Sequence, residues 1–87
     1  QMEFIITHQP ELQRFMSRVD DEEAVLEYRL LSDRGIDFTR TYVPKALRGQ
    51  GIAEKLVRTG LAWAAEQEYE TQASCWYVTR FLKRGRK

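Results

Sequence analysis

Val43-Pro44-Lys45-Ala46-Leu47-Arg48-Gly49-Gln50-Gly51-Ile52-Ala53 joins a β-rich stretch to an amphipathic one through a turn whose backbone is left bare. Upstream, residues 38–43 read as a strand that Pro44 closes. Downstream, Ile52, Leu56, Val57, Gly60, Leu61 and Ala64 recur at spacings of three and four, which predicts a helix over residues 52–67 with one apolar stripe. A helix start carries unpaired N–H groups and a partial positive charge, so the turn has the local chemistry of an anion site. Gly49 and Gly51 have no side chain to keep a phosphate away, and Arg48 adds a forked donor. The alternative reading is a tight turn that two glycines merely shape.

Outward from this turn the chain resolves into strands. Residues 4–6 and 15–19 are short strand candidates, and the acidic cluster of residues 20–23 reads as a turn. Residues 23–31 alternate, with Val25, Glu27, Arg29 and Leu31 on one face and Ala24, Leu26, Tyr28 and Leu30 on the other, the expected core face. Ser32-Asp33-Arg34-Gly35 signals a hairpin into a strand over residues 36–43, making an antiparallel meander. Gly60 costs about 1 kcal/mol of helix propensity against Ala, so its presence predicts close packing of helix on sheet. Residues 71–75 read as a strand and residues 77–84 as a final helix. A strand reached from residue 43 through a helix lies parallel to its predecessor and adjacent or nearly so. The expected class is therefore α+β, a mixed, mostly antiparallel sheet with a β-α-β-α C-terminal half.

Eighty-seven residues predict one domain over 1–87, burying only about 60–65% of the unfolded chain's surface. A hydrophobic fraction of 43% against 31% charged describes a globular chain rather than a disordered one. No apolar run approaches the roughly 20 residues of a membrane span and no secretory leader pattern is present, so the default expectation is a cytoplasmic protein without a membrane partner. One cysteine, Cys75, excludes an internal disulfide, and with a single histidine, His8, an ordinary zinc site is not expected. Residues 1–37 hold four Lys or Arg against nine Asp or Glu, whereas residues 38–87 hold ten against four. The basic half contains the anion turn, which suits a polyanionic ligand, although solvated faces produce such asymmetry too.

Arg48, Gly51 and Ala53 form the pattern Arg, two residues, Gly, one residue, Gly or Ala. This resembles the pyrophosphate-binding motif of the GCN5-related N-acetyltransferases. Residues 24–28, 38–44, 47–53 and 74–78 also occur in the order seen in a minimal, single-domain branch of that superfamily, and the resemblance covers roughly residues 5 to 83. It implies the corresponding fold with reduced N-terminal helices. It also implies acetyl-CoA as acyl donor, an amine acceptor on a protein, a polyamine or a small molecule, and a monomer or weak dimer; nucleic acid is not expected.

The resemblance places the pantetheine arm along Thr41, Tyr42 and Val43, whose backbone would pair with its two amides. The pyrophosphate would lie on the N–H groups of Gly49, Gln50, Gly51, Ile52 and Ala53, with Arg48 beside it. Cys75 would stand where the acetyl thioester arrives, as nucleophile, as proton donor to the departing sulfur, or simply as a buried small hydrophobe. Tyr77 matches a tyrosine that protonates the leaving thiolate in many relatives, or else packs against Trp76 or Phe81. Ser74 is a further candidate for a hydrogen bond to the thioester.

A general base is harder to assign. Arg40 stands where the branch often has histidine, and a guanidinium cannot act as a base at neutral pH. Glu27 and Glu70 are possible substitutes that read equally as surface carboxylates, and His8 reads as a solvated loop residue. Two further departures are Ala73, where the branch often has proline, and the tail Lys83-Arg84-Gly85-Arg86-Lys87, a contact for the adenosine 3'-phosphate or nucleic acid, or a frayed end. The leading expectation is an acetyl-CoA-dependent N-acetyltransferase; the alternatives are a non-catalytic CoA-binding or acyl-CoA-binding module and an interaction domain whose turn is structural.

Overall fold

Strands β1 (Thr7–Gln9), β2 (Arg14–Val19), β3 (Glu22–Leu31), β4 (Gly35–Tyr42) and β5 (Glu70–Ala73) lie side by side in sequence order in a computed structural model that describes residues 3–84. The first four pair antiparallel and β5 joins β4 in parallel, Gly35 opposite Glu70 and Phe38 opposite Ala73. Helix α1 (Ile52–Glu66) makes the crossover between them and helix α2 (Trp76–Arg84) follows β5. This is the expected α+β mixed sheet. Among the described residues, the one helical element before β2 is a 3₁₀ turn at Pro10–Leu12.

The β3–β4 hairpin turns on Asp33 and Arg34, both with positive φ (58° and 61°), and closes with Gly35 N–H on Ser32 O at 3.2 Å. Such a mirror-image turn matches the right-handed twist of its strands. Arg34 is held there because its guanidinium donates to the carbonyls of Gln67 and Glu68, the exposed end of α1, and lies 5.2 Å from the centre of the Tyr69 ring.

One irregularity positions everything that follows. Glu27 faces Arg40, yet Tyr28 faces Phe38, so Thr39 is an extra residue in β4. A bulge of this kind exchanges the faces of the strand beyond it. Ile36 and Phe38 point into the core, Arg40 and Tyr42 turn outward, and Thr41 lies opposite Leu26 on the side that carries the helices.

Leu26, Ile36, Phe38, Ile52, Leu56, Val57, Ala64 and Val78 are fully buried in one core between sheet and helices. Gly60 is where α1 touches the sheet most closely: a Cβ there would come within 2.7 Å of Leu26 Cδ2. The opposite face is polar, with Arg18 and Arg14 on Glu23 and Arg40 on Glu27. Exposed pairs of this kind contribute little each, roughly 0–1 kcal/mol.

Several expectations are corrected. The first strand is residues 7–9, not 4–6; Phe4 is instead buried in the core, and its carbonyl accepts Lys55 Nζ at 2.6 Å. Leu30 is exposed because β2 pairs with β3 only as far as Glu27 and gives it no neighbour on that side. Val25, assigned to the outer face, is buried because Met16 and Tyr42 flank it in the sheet. The last strand ends at Ala73, so Cys75 lies past it, immediately before α2. His8 is no loop residue: it sits in β1, stacked on Phe15 with ring centroids 4.2 Å apart and with Nε2 2.7 Å from Tyr28 Oη.

Candidate functional site

After Phe38 and Ala73 the two parallel strands, β4 and the edge strand β5, part. The bulge at Thr39 redirects β4, and the chain leaving β5 turns into α2. Pro44 ends β4, a 3₁₀ turn at Lys45–Leu47 tucks Leu47 into the core, and Arg48-Gly49-Gln50-Gly51 brings the chain to the start of α1. The two helix starts therefore converge on the gap between the strands.

The turn has the geometry that its glycines predict. Gly49 and Gly51 take φ of 77° and 86°, where a side chain is disfavoured, and an ideal Cβ at either would meet no atom within 4 Å. The first intrahelical bond of α1 runs from Lys55 N–H to Gly51 O at 3.1 Å, so the amides of Ile52, Ala53 and Glu54 lack partners within the helix. Arg48 Nε donates to Val43 O at 2.8 Å, fixing the guanidinium across the mouth of the turn. Glu54, in the first helical turn, is drawn along the helix by Arg58 at 2.8 Å.

A cavity of about 240 Å³ lies on this turn, lined by Arg48, Gly49, Gly51, Ile52, Ala53 and Glu54 and closed by Val43 and Tyr77. A second, of about 430 Å³, shares Val43, Arg48, Ala53 and Tyr77 with it and extends past Thr41 and Tyr42 to Cys75 and Trp76. Together they form a groove that runs from two glycines and an arginine to a thiol. The open glycine cradle suits phosphate oxygens, and the larger cavity beside β4 has room for an extended chain.

Cys75 stands at the far end. Its N–H donates to Phe38 O at 3.1 Å, and its Sγ lies 3.6 Å from Thr41 Oγ1. Burial pushes the thiol's pKa up, but hydrogen bonds from the backbone of Val78, the side chain of Thr41, and the backbones of Tyr77 and Thr41 outweigh it, so the thiol titrates below its ordinary value. A sulfur at a helix start, fed by several N–H groups, is the environment that favours thiolate. Ser74 is turned the other way: its N–H and Oγ donate to Asp37 Oδ1 and Oδ2 at 2.7 and 2.6 Å.

Of the residues predicted for the site, all but Gln50 and Ser74 line the groove. The side chain of Gln50 donates to Ala46 O, while its backbone remains within the glycine turn. Tyr77 meets both aromatics, Trp76 at 6.1 Å and Phe81 at 5.2 Å between centroids, while still lining both cavities. The base candidates fare differently. Glu27 is paired with Arg40 at 3.0 Å on the outer face, and Glu70 sits at the opposite end of β5 from Cys75. Arg40 also covers the Tyr42 ring, so it is directed away from the thiol. Residues 85–87 of the basic tail lie outside the described residues.

Sequence reasoning missed Asp37, Glu54 and Trp76. Asp37 is 37 residues from Ser74 and no local pattern links them. A Ser-Cys pair ahead of an amphipathic stretch is, however, a helix-start signal that could have moved Cys75 out of the strand. Among the described residues, no group of three or more His, Cys, Asp or Glu is arranged to hold a metal ion, and no helix is long and apolar enough to cross a membrane.

A sheet parted between its parallel strands, with a glycine turn and helix start facing the gap, defines an α+β protein with an open glycine cradle. Residues 14–87 match the family described as GCN5-related N-acetyl-transferase, and the chain belongs to that family. It is similar to Protein NATD1 of Bos taurus, 32% identical over 80 residues that span 90% of this chain and 71% of that protein. The Mus musculus and Homo sapiens proteins of that name are each 31% identical over 80 residues, covering 90% of this chain and 73% and 71% of theirs.

Proposed function

We propose that this protein is an acetyl-CoA-dependent N-acetyltransferase whose groove takes the donor's pyrophosphate at residues 48–53 and its pantetheine arm along residues 41–43. The observation that carries this reading is that the cavity on the Gly49–Gly51 cradle and the cavity reaching Cys75 share Val43, Arg48, Ala53 and Tyr77 as walls. Family membership supports it.

Acetyl-CoA would supply an activated acetyl thioester. The chain's part is to bind, orient and move protons. Backbone N–H groups of residues 49–53 and the Arg48 guanidinium offset phosphate charge. The edge of β4 beyond Phe38 offers main-chain groups to amides that need partners once buried. Cys75 is held by hydrogen bonds that favour its thiolate, which suits Sγ to attack an acyl carbon. Tyr77, which lines both cavities, is placed to protonate the leaving sulfur. The acceptor is an amine, on a protein, a polyamine or a small molecule.

The engagement of Glu27 by Arg40 favours a second reading, a CoA-binding module without efficient turnover, because it removes a candidate base. Calorimetric titration with acetyl-CoA, beside a Gly51→Trp variant that fills the cradle, tests the shared site. One-site binding that the variant loses supports both readings, and absence of binding by folded protein sinks both. Turnover that Cys75→Ser abolishes then selects the enzyme.

A further inference from the structure

The two oxygens of Asp37 are both spent on one residue, Ser74, whose N–H and Oγ donate to them at 2.7 and 2.6 Å. The next residue of β4, Phe38, accepts Cys75 N–H at 3.1 Å. Consecutive residues 37 and 38 thus clamp consecutive residues 74 and 75. From the helical side, Thr79 Oγ1 lies 3.2 Å from Ala73 O and 3.1 Å from Cys75 O. The turn needs such a clamp. Strand pairing has ended at Ala73, Ser74 is exposed, and neither ladder nor burial dictates the direction in which the chain leaves β5.

We propose that Asp37 is a positioning residue for Cys75: through Ser74 it sets the entry into α2 so that Sγ lies at the start of that helix and beside Thr41 Oγ1. Its functional meaning rests on the thioester-site reading of the groove, whereas the positioning itself does not. Charge-assisted hydrogen bonds are the stronger kind, which suits a carboxylate to this task. Besides Cys75, the charged and titratable groups that line the groove are Tyr42 from β4, Arg48 from the turn, Glu54 from α1 and Tyr77 from α2.

The test is the pH profile of iodoacetamide alkylation, which reads one site because Cys75 is the chain's one cysteine. In Asp37→Ala the midpoint moves to higher pH and the rate at neutral pH falls about three- to tenfold, since alkylation follows the thiolate fraction. Asp37→Asn, which removes the charge but keeps an acceptor for Ser74 N–H, shifts the profile in the same direction by less than Asp37→Ala does. A folded Asp37→Ala protein, by circular dichroism, with an unchanged profile overturns the proposal. Should that variant not fold, Ser74→Ala replaces it: it removes only the Oγ bond, a smaller shift in the same direction is expected, and no shift overturns the proposal. None of these readings needs acetyl-CoA, so a shifted profile in a protein that binds no acetyl-CoA supports the positioning and removes only the functional reading.

Discussion

Thr41 and Cys75, 34 residues apart in the chain, meet with Oγ1 and Sγ 3.6 Å apart at the place where β4 and β5 have stopped pairing. The contact exists because the Thr39 bulge turns Thr41 to the side of the sheet that carries the helices. Replacing Thr41 with Val keeps the shape and removes one hydrogen bond to sulfur. The thiol should titrate higher, with alkylation at neutral pH slowed about two- to fivefold and the melting temperature little changed. Alkylation kinetics beside thermal melts check this.

Gly51→Ala isolates the backbone requirement of the turn. At φ 86° a Cβ meets nothing within 4 Å, so the cost is torsional, about 1 kcal/mol. For a chain of this size that lowers the melting temperature by roughly 4–8 °C. Arg48→Ala should leave the fold intact and weaken acetyl-CoA about tenfold or more in calorimetric titration, having removed a charge-assisted donor.

Gly60→Ala sets helix propensity against packing. Alanine would gain about 1 kcal/mol in propensity. Its Cβ, however, would come within 2.7 Å of Leu26 Cδ2 and 3.1 Å of Phe38 Cε1, and both residues are fully buried, so either must shift within a packed core. Overpacking of a tight core costs about 1–3 kcal/mol, so the variant should be less stable by about 1 kcal/mol in urea titration. A more stable variant would contradict this contact.

His8 should give the protein a histidine-linked acid sensitivity. Desolvation lowers its pKa, with Glu11 opposing, so the unfolded chain binds the proton more readily than the folded one. Stability is then present above the ordinary value of 6.5 and is lost as pH falls through and below it. Melting temperatures from neutral to mildly acidic pH should decline in the native protein. In His8→Gln the decline should be shallower across that window, above the range where carboxylates titrate.

Sequence alone determined the strand-turn-helix order, the antiparallel meander, the parallel return of β5 and the glycine turn, because each rests on local periodicity or on a backbone requirement that one residue type meets. It also marked Gly60 as a packing position, from its cost to the helix. Tertiary structure decided the rest. The Thr39 bulge exchanges the faces of β4 without any mark in its composition, and it brings Thr41 to Cys75. Pairing across the sheet buries Val25 and exposes Leu30, against their alternation, because burial depends on which neighbours the strands supply. The surroundings of His8 and the clamp of Asp37 on Ser74 join residues 20 and 37 positions apart. Such contacts depend on where the folded chain brings distant side chains together, which local periodicity cannot encode.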